Sequence, residues 1–156
     1  MKKRKSENLI IKEYNHEDKE IQQKQLHQVC DLMNQYVLDG YDYYRKIGYK
    51  EDLVLCNEDY VRKRVNIVTV ETKGENVIGF IFYQCNGNTI NITNIVIDES
   101  FRKCGWGRKL VGYVMEKYPN KQFVAEYVIN ENKDAINFWK SLGFSVPIFT
   151  NFLCKH

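Results

Sequence analysis

Along the chain, apolar positions alternate between a period of two and a period near 3.6. This is the pattern of strands interleaved with amphipathic helices. The segment 8–14, NLIIKEY, has a short strand-like core. From Glu20 to Leu38, residues Leu26, Val29, Met33 and Tyr36/Val37 recur at helical spacing, and Gly40 is positioned to stop that helix. The next stretch, 41–49, YDYYRKIGY, is dense in tyrosine without a clean period. Its rings either extend the core or wall a substrate cleft. A further short helix is predicted around 56–65.

Residues 66–98 read as three antiparallel strands. Lys73-Gly74-Glu75-Asn76 forms the first turn and Cys85-Asn86-Gly87-Asn88 the second, where Asn-Gly is a strong hairpin signal. The third strand is irregular. Ile90 and Ile92 fall on one face, whereas Ile95 and Ile97 fall on the other, with Asn94 and Val96 between. A regular strand would bury both faces; a bulge would re-register its two halves and free backbone groups for a ligand. Leu110, Val111, Val114, Met115 and Tyr118 then share one helical face, ended by Pro119 and Asn120. A strand follows at 122–128, then a helix marked by Asn132, Ala135, Phe138/Trp139 and Leu142 and capped by Gly143, then a strand-like end at 144–153. The expected architecture is a single-domain α/β fold, a mixed and mostly antiparallel sheet with helices on both faces. Residues 1–7 form a basic flexible tail before a single domain at 8–156.

Composition narrows the function classes. A chain of 156 residues with 44% hydrophobic residues, eleven tyrosines and two prolines is long enough for one sizeable core. The formal charge of +3 suits a polyanionic ligand without requiring nucleic acid. Four positive charges crowd 1–8, but no apolar run of the signal-peptide kind follows, and no segment approaches the ~18 apolar residues of a membrane span. Five scattered cysteines suit a reducing compartment, with the cytoplasm the expected location. Asn91-Ile92-Thr93 matches a glycosylation acceptor by chance, lying in an apparent buried strand.

The segment 99–113, ESFRKCGWGRKLVGY, carries the chemistry. A helix starting just after Gly105-Trp106-Gly107 points unpaired N–H groups at the preceding loop. Glycines let that backbone turn sharply and approach an anion, and Arg102, Lys103, Arg108 and Lys109 add positive field. An ordinary basic turn would read the same way. The spacing is neither that of a P-loop nor of a three-glycine dinucleotide fingerprint, so nucleotide hydrolysis and Rossmann-type binding are disfavoured.

The string 97–115 resembles the acetyl-coenzyme A segment of the GNAT family of N-acetyltransferases, whose core is Arg/Gln-x-x-Gly-x-Gly/Ala after a strand. Here it is Arg102-Lys103-Cys104-Gly105-Trp106-Gly107. The family's second signature, Asn-x-x-Ala-x-x-Phe-Tyr-x-x-x-Gly-Phe, is similar to the run from Asn132 to Phe144. The resemblance implies acetyl-coenzyme A in a V-shaped cleft between splayed strands near 90–98 and 122–128. The pantetheine arm would pair with backbone at Ile95, Val96 and Ile97. The pyrophosphate would sit on the amides of 102–108, from Arg102 through Cys104 and Trp106 to Arg108. Asn132 resembles the family asparagine that contacts the cofactor arm, though it would equally cap its helix.

The resemblance also implies direct transfer of acetyl to an amine: a small molecule, a polyamine or a peptide amine. An alkylamine with a pKa of about 10.4 must first lose a proton, so a carboxylate base is useful. Glu126 is the candidate, since Val124, Glu126 and Val128 point one way and place a charge in an apolar row. Some relatives carry glutamate where this chain has Tyr127, so Tyr127 is a candidate for lining the acceptor site. Trp139 departs from the family tyrosine that acts as general acid, and an indole cannot supply a proton as a phenol can. The alternative is a non-catalytic coenzyme A-binding or regulatory module. Cys104 beside basic residues invites a nucleophile reading, which the family does not need. His27 and Cys30 lack further ligands for zinc, and no metal is expected. No membrane partner is expected, nucleic acid is disfavoured, and a homodimer is compatible with the sequence but not specified by it.

Overall fold

The computed structural model describes residues 8–15, 20–46, 55–63, 66–126, 133–145 and 153–155. The side chains of 41–44 and 153–155 are not among what it describes. Six strands form one sheet in the order β1-β2-β3-β4-β5-β6. They span Ile10–Asn15, Asn66–Glu71, Val77–Asn86, Thr89–Ile97, Gln122–Ala125 and Leu153–Lys155. All neighbours are antiparallel except β4 and β5, which are parallel because α3 (Trp106–Lys117) crosses between them. On one face lie α1 (Gln23–Lys46) and α2 (Glu58–Arg62), burying Leu26, Val29, Met33 and Val61 against Phe80, Phe82 and Val96. On the other, α3 buries Leu110, Val111 and Val114 against Val68, Ile81, Ile90 and Ile92. Trp139 of α4 (Lys133–Ser141) joins that second cluster. The expected mixed sheet with helices on both faces is what the chain builds.

Two expectations are corrected. Gly40 does not stop α1, which continues to Lys46. A single helical glycine costs only about 1 kcal/mol relative to alanine, and Arg45 and Lys46 in the last turn favour continuation by facing the negative end of the helix dipole. Part of the tyrosine-rich stretch is therefore helix, while the side chains of 41–44 and all of 47–49 lie outside the described residues. The strand expected over 144–153 is seen as Leu153–Lys155, and residues 146–152 lie outside the described residues.

The irregularity in β4 is a bulge. Pairing with β3 steps from Phe82↔Asn94 to Tyr83↔Ile92, leaving Thr93 as the extra residue. That one-residue insertion turns Ile95 and Ile97 to the same α3 face as Ile90 and Ile92, while Val96 joins the α1 face. The described pairing of β4 with β5 ends at Ile92↔Ala125, followed by one bond from the Glu126 N–H to the Ile92 carbonyl at 2.9 Å.

Two polar clusters tie helices to the sheet. The buried Glu71 carboxylate accepts from the Tyr14 hydroxyl (2.7 Å), the Thr69 hydroxyl and Gln25 Nε2 of α1 (3.3 Å), with Lys12 Nζ at 3.7 Å. On the opposite face, Glu13 accepts from the hydroxyls of Tyr83 (2.8 Å) and Tyr113 (3.0 Å) and from Lys117 Nζ. Burial alone would raise the Glu13 carboxyl, but the hydrogen bonds from Lys117, Tyr83 and Tyr113 override it and hold the group below its ordinary value. Burial, reinforced by its bonds to Tyr118 and Glu13, pushes the Tyr83 hydroxyl up.

A depressed carboxyl stabilises the fold above its unfolded value of 4.5, and that contribution disappears as pH falls through the lower folded value. Glu13→Gln is therefore expected to cost about 2 kcal/mol at neutral pH, after allowing for solvent screening at Lys117. The corresponding fall in Tm is roughly 4–8 °C. Thermal melts from pH 7 to pH 3 test this. The gap between the wild type and the variant should close below the unfolded value, and a gap constant with pH would remove Glu13 as its source.

Candidate active site

Beside the last described β4–β5 pair lies a cleft of about 1210 Å³, lined by residues from both sides of the sheet. At its α3 end, Asp98 caps the turn Glu99–Phe101 by accepting from the Ser100 N–H at 2.8 Å. The chain then curls through Lys103 (φ 57°) and Gly105 (φ 86°) into α3. Gly105 stands at the N-cap with no side chain to satisfy the first-turn N–H groups, which are left for solvent or an anion. Arg102, Lys103 and Arg108 line this end.

The two glycines of the loop do different jobs. A Cβ on Gly105 would meet nothing within 4 Å, so its requirement is the left-handed backbone itself. A Cβ on Gly107 would lie 3.2 Å from the Phe138 ring, so its requirement is space. Gly107 lets the first turn of α3 close on α4, and Arg108 adds a bond from its Nη2 to Ser141 Oγ at 3.0 Å. Arg102 turns its Nε to the Ile97 carbonyl at 2.9 Å, fastening the loop to the end of β4. Lys109 stacks its ammonium 4.2 Å above the Trp106 ring.

The site residues foreseen from the sequence converge unevenly. Ile95, Val96 and Ile97 line the cleft beyond the bulge, as do Arg102, Lys103, Gly105, Trp106, Gly107, Arg108, Glu126 and Trp139. Cys104 does not line it; its exposed thiol faces the Arg102 carbonyl at 3.4 Å, which gives a nucleophile reading no support. Tyr127 and Asn132 lie outside the described residues. Phe123 and Ala125 belong to the α3-side core, so Val124 and Glu126 face α1, as the alternation predicted. Asn91 Nδ2 donates to Glu126 Oε1.

Trp139 is buried, with ring centroids 5.1 Å from Phe138 and 4.9 Å from Phe144, so it is a core residue with one edge on the cleft. His27 pairs with Asp31 (3.4 Å) and Glu58 (3.8 Å), and the Cys30 thiol lies 3.9 Å from that of Cys56. Among the described residues no three metal-ligating side chains converge.

The cleft also takes in Tyr36 of α1, Tyr60 of α2, Gln84 of β3 and Asn94 of β4, none of them singled out from the sequence. Gln84 carried a signal, following Phe80 and Phe82 as a polar residue on an apolar face. Thr93 Oγ1 and Asn94 Oδ1 are buried there without a hydrogen-bond partner among the described residues. Orphan acceptors, an uncapped helix start and a glycine backed by an aromatic ring make a cleft shaped for a long ligand with an anionic end.

A split parallel strand pair with a glycine loop and helix start beside it defines the acyl-coenzyme A-binding class of α/β transferase. The sequence profile of the acetyltransferase (GNAT) family matches residues 27–144, and the chain belongs to that family. Acetyl transfer is the family's general activity and acetyl-coenzyme A its co-substrate. No curated protein sequence matches the chain. Among solved structures, the chain resembles the BH1408 protein of Bacillus halodurans, solved as a tetramutant. Its TM-score is 0.69 at 18% identity, covering 90% of this chain and 96% of that chain. It also resembles a PaiA N-acetyltransferase from Thermoplasma acidophilum in complex with coenzyme A. That match has TM-score 0.67 and 15% identity over 94% and 98% of the two chains. A third is the ribosomal-protein-S18-alanine N-acetyltransferase from Escherichia coli, with TM-score 0.64 and 14% identity over 94% and 93%. At these identities the likeness is one of fold. No helix among the described residues is long and apolar enough to cross a membrane.

The two glycines separate conformation from contact. Gly107→Asp is expected to weaken coenzyme A binding by at least about 100-fold, because it sets a negative charge at the helix start and forces Phe138 aside. Gly105→Ala should weaken it by roughly 10-fold through about 1–2 kcal/mol of left-handed strain. Gly112→Ala, whose Cβ would meet nothing within 4 Å, should leave affinity unchanged. Isothermal titration with coenzyme A reads all three, and unchanged affinity in Gly107→Asp would place the pyrophosphate elsewhere.

Proposed function

We propose that the protein transfers acetyl from acetyl-coenzyme A directly to a primary amine, with Glu126 as the general base. The observation that carries this is the continuity of one cleft. It runs from a cationic loop at the α3 start, on one face of the sheet, to a carboxylate facing α1 on the other. The open edge of β4 at Ile95 to Ile97 would hold the pantetheine arm, and the 102–108 loop the pyrophosphate. The bound thioester supplies an activated acetyl group.

The protein's own groups supply the rest. An alkylammonium with a pKa of about 10.4 must lose a proton before it attacks, and Glu126 stands at the cleft to accept it directly or through water. Asn91 donates to one oxygen of that carboxylate, so the other remains to face the acceptor. At Trp139 there is no phenol to protonate the departing thiolate. A thiol with a pKa of about 8.5 makes a tolerable leaving group without full protonation.

One observation favours the second reading, a coenzyme A-binding module without turnover. Trp139 is packed into the core where the family's acid would stand. The two readings separate on turnover. With acetyl-coenzyme A and a panel of primary amines, thiol release should match acetylated product by mass spectrometry. Glu126→Gln should lower kcat by roughly 10²–10⁴ with coenzyme A affinity unchanged. Full activity in that variant would sink the base assignment, while cofactor binding with no product from any amine would establish the silent module.

A further inference from the structure

The cleft's lining cations, Arg102, Lys103 and Arg108, all belong to the loop and helix start on the α3 side; of its lining anions, Asp134 lies on α4, which packs on that same side, and Glu126 faces α1. Gln84 follows Phe80 and Phe82 on the α1 face of β3, Asn94 precedes Val96 on the same face of β4, and Glu126 faces that way from the end of β5. Tyr36 and Tyr60 cover this chamber from α1 and α2, with 40% and 38% of their surfaces exposed. The α1-side chamber thus joins amides, two phenol rings and one carboxylate, and among the described residues that line it there is no cation.

Three atoms in this region point to the chemistry of the occupant. Among the described residues Asn91 Oδ1, Thr93 Oγ1 and Asn94 Oδ1 are buried without a partner, a costly arrangement unless a ligand provides N–H donors. An ammonium is such a donor. It is also attracted to a carboxylate and to the face of a tyrosine ring. A carboxylate or phosphate close to the reacting amine would instead meet Glu126 and find no described cation on that side to pair with.

We infer that the acceptor is a primary alkylammonium carried on an apolar or cationic stem, with no anionic group near the amine, and that Asn94 is the residue that selects it. This rests on the acetyl-transfer reading above. It separates simple alkylamines, polyamines and internal lysine side chains from free α-amino acids and acidic amines.

The test is a series with one short stem and three ends: 1,3-diaminopropane, propylamine and 3-aminopropanoate, whose carboxylate lies two methylenes from the amine. The expected kcat/KM for the diamine and the monoamine exceeds that of the aminopropanoate by at least tenfold. Equal or better use of the aminopropanoate overturns the inference. Asn94→Leu should raise the amine KM about tenfold, with kcat changed less than threefold and the coenzyme A dissociation constant unchanged by calorimetry. If coenzyme A affinity falls in step, Asn94 serves the cofactor arm and the inference is wrong. Should no amine turn over, the acetyl-transfer reading is what fails. The selectivity is then read by titrating the same three compounds into the coenzyme A-loaded protein, where loss of the same order, or no binding by any of them, overturns it.

Discussion

One extra residue, Thr93, governs the rest of the structure. Strict alternation along β4 would send Ile90 and Ile92 to one face and Ile95 and Ile97 to the other. The bulge brings all four onto the face that α3 covers. Apolar burial therefore favours the bulge, at about 25 cal/mol per Å² removed from water. The described pairing with β5 stops at Ile92, next to the bulge, and Asn94 to Ile97 line the cleft. A packing requirement and a ligand site arise from one insertion.

A split sheet needs something to keep its open side aimed. The N-terminal turn of α3 closes on α4 through Gly107 and Phe138, and its middle is anchored by Leu110, Val111 and Val114. Its last turns are tied by Tyr113 and Lys117 to Glu13, which sits on β1 at the opposite edge of the sheet from the cleft. The helix whose uncapped start borders the cleft is thus held along its length. On the other face, Glu71 draws Gln25 of α1 onto the sheet, and α1 carries Tyr36 to the cleft. Both walls of the site are set by polar contacts that reach far from it.

The fold was legible because its elements are locally consistent: a 3.6 period ends at Pro119, an alternating run ends at Asn86-Gly87, and a polar break interrupts four isoleucines. The cofactor end of the site was legible for the same reason, since a glycine loop and its helix lie contiguous in sequence. Gly40 misled because a single helical glycine is a weak stop when the flanking residues favour the helix. The α1-side part of the cleft resisted because it is assembled across the fold. Tyr36, Tyr60, Gln84 and Asn94 come from four elements, and no spacing along the chain connects them. Face parity in β3 and β4 could have found Gln84 and Asn94, but only after the bulge had been placed.

The tryptophan at 139 sharpens what the two ends of the cleft must each do. Its ring lies between Phe138 and Phe144, and Phe138 in turn backs Gly107, so one aromatic stack joins the core to the helix start. Replacing a phenol by an indole there gives up a proton donor and gains apolar contact under the loop. Direct transfer tolerates that exchange, because a thiolate leaves more readily than an alkoxide and asks less of an acid. It does not remove the need for a base, since attack requires a neutral amine. Under the proposed reading that demand falls on Glu126, which accepts from Asn91 and lines the cleft. Donor affinity is set by backbone and packing around α3. On the proposed reading, acceptor choice would fall to the few polar side chains that line the cleft on the α1 side.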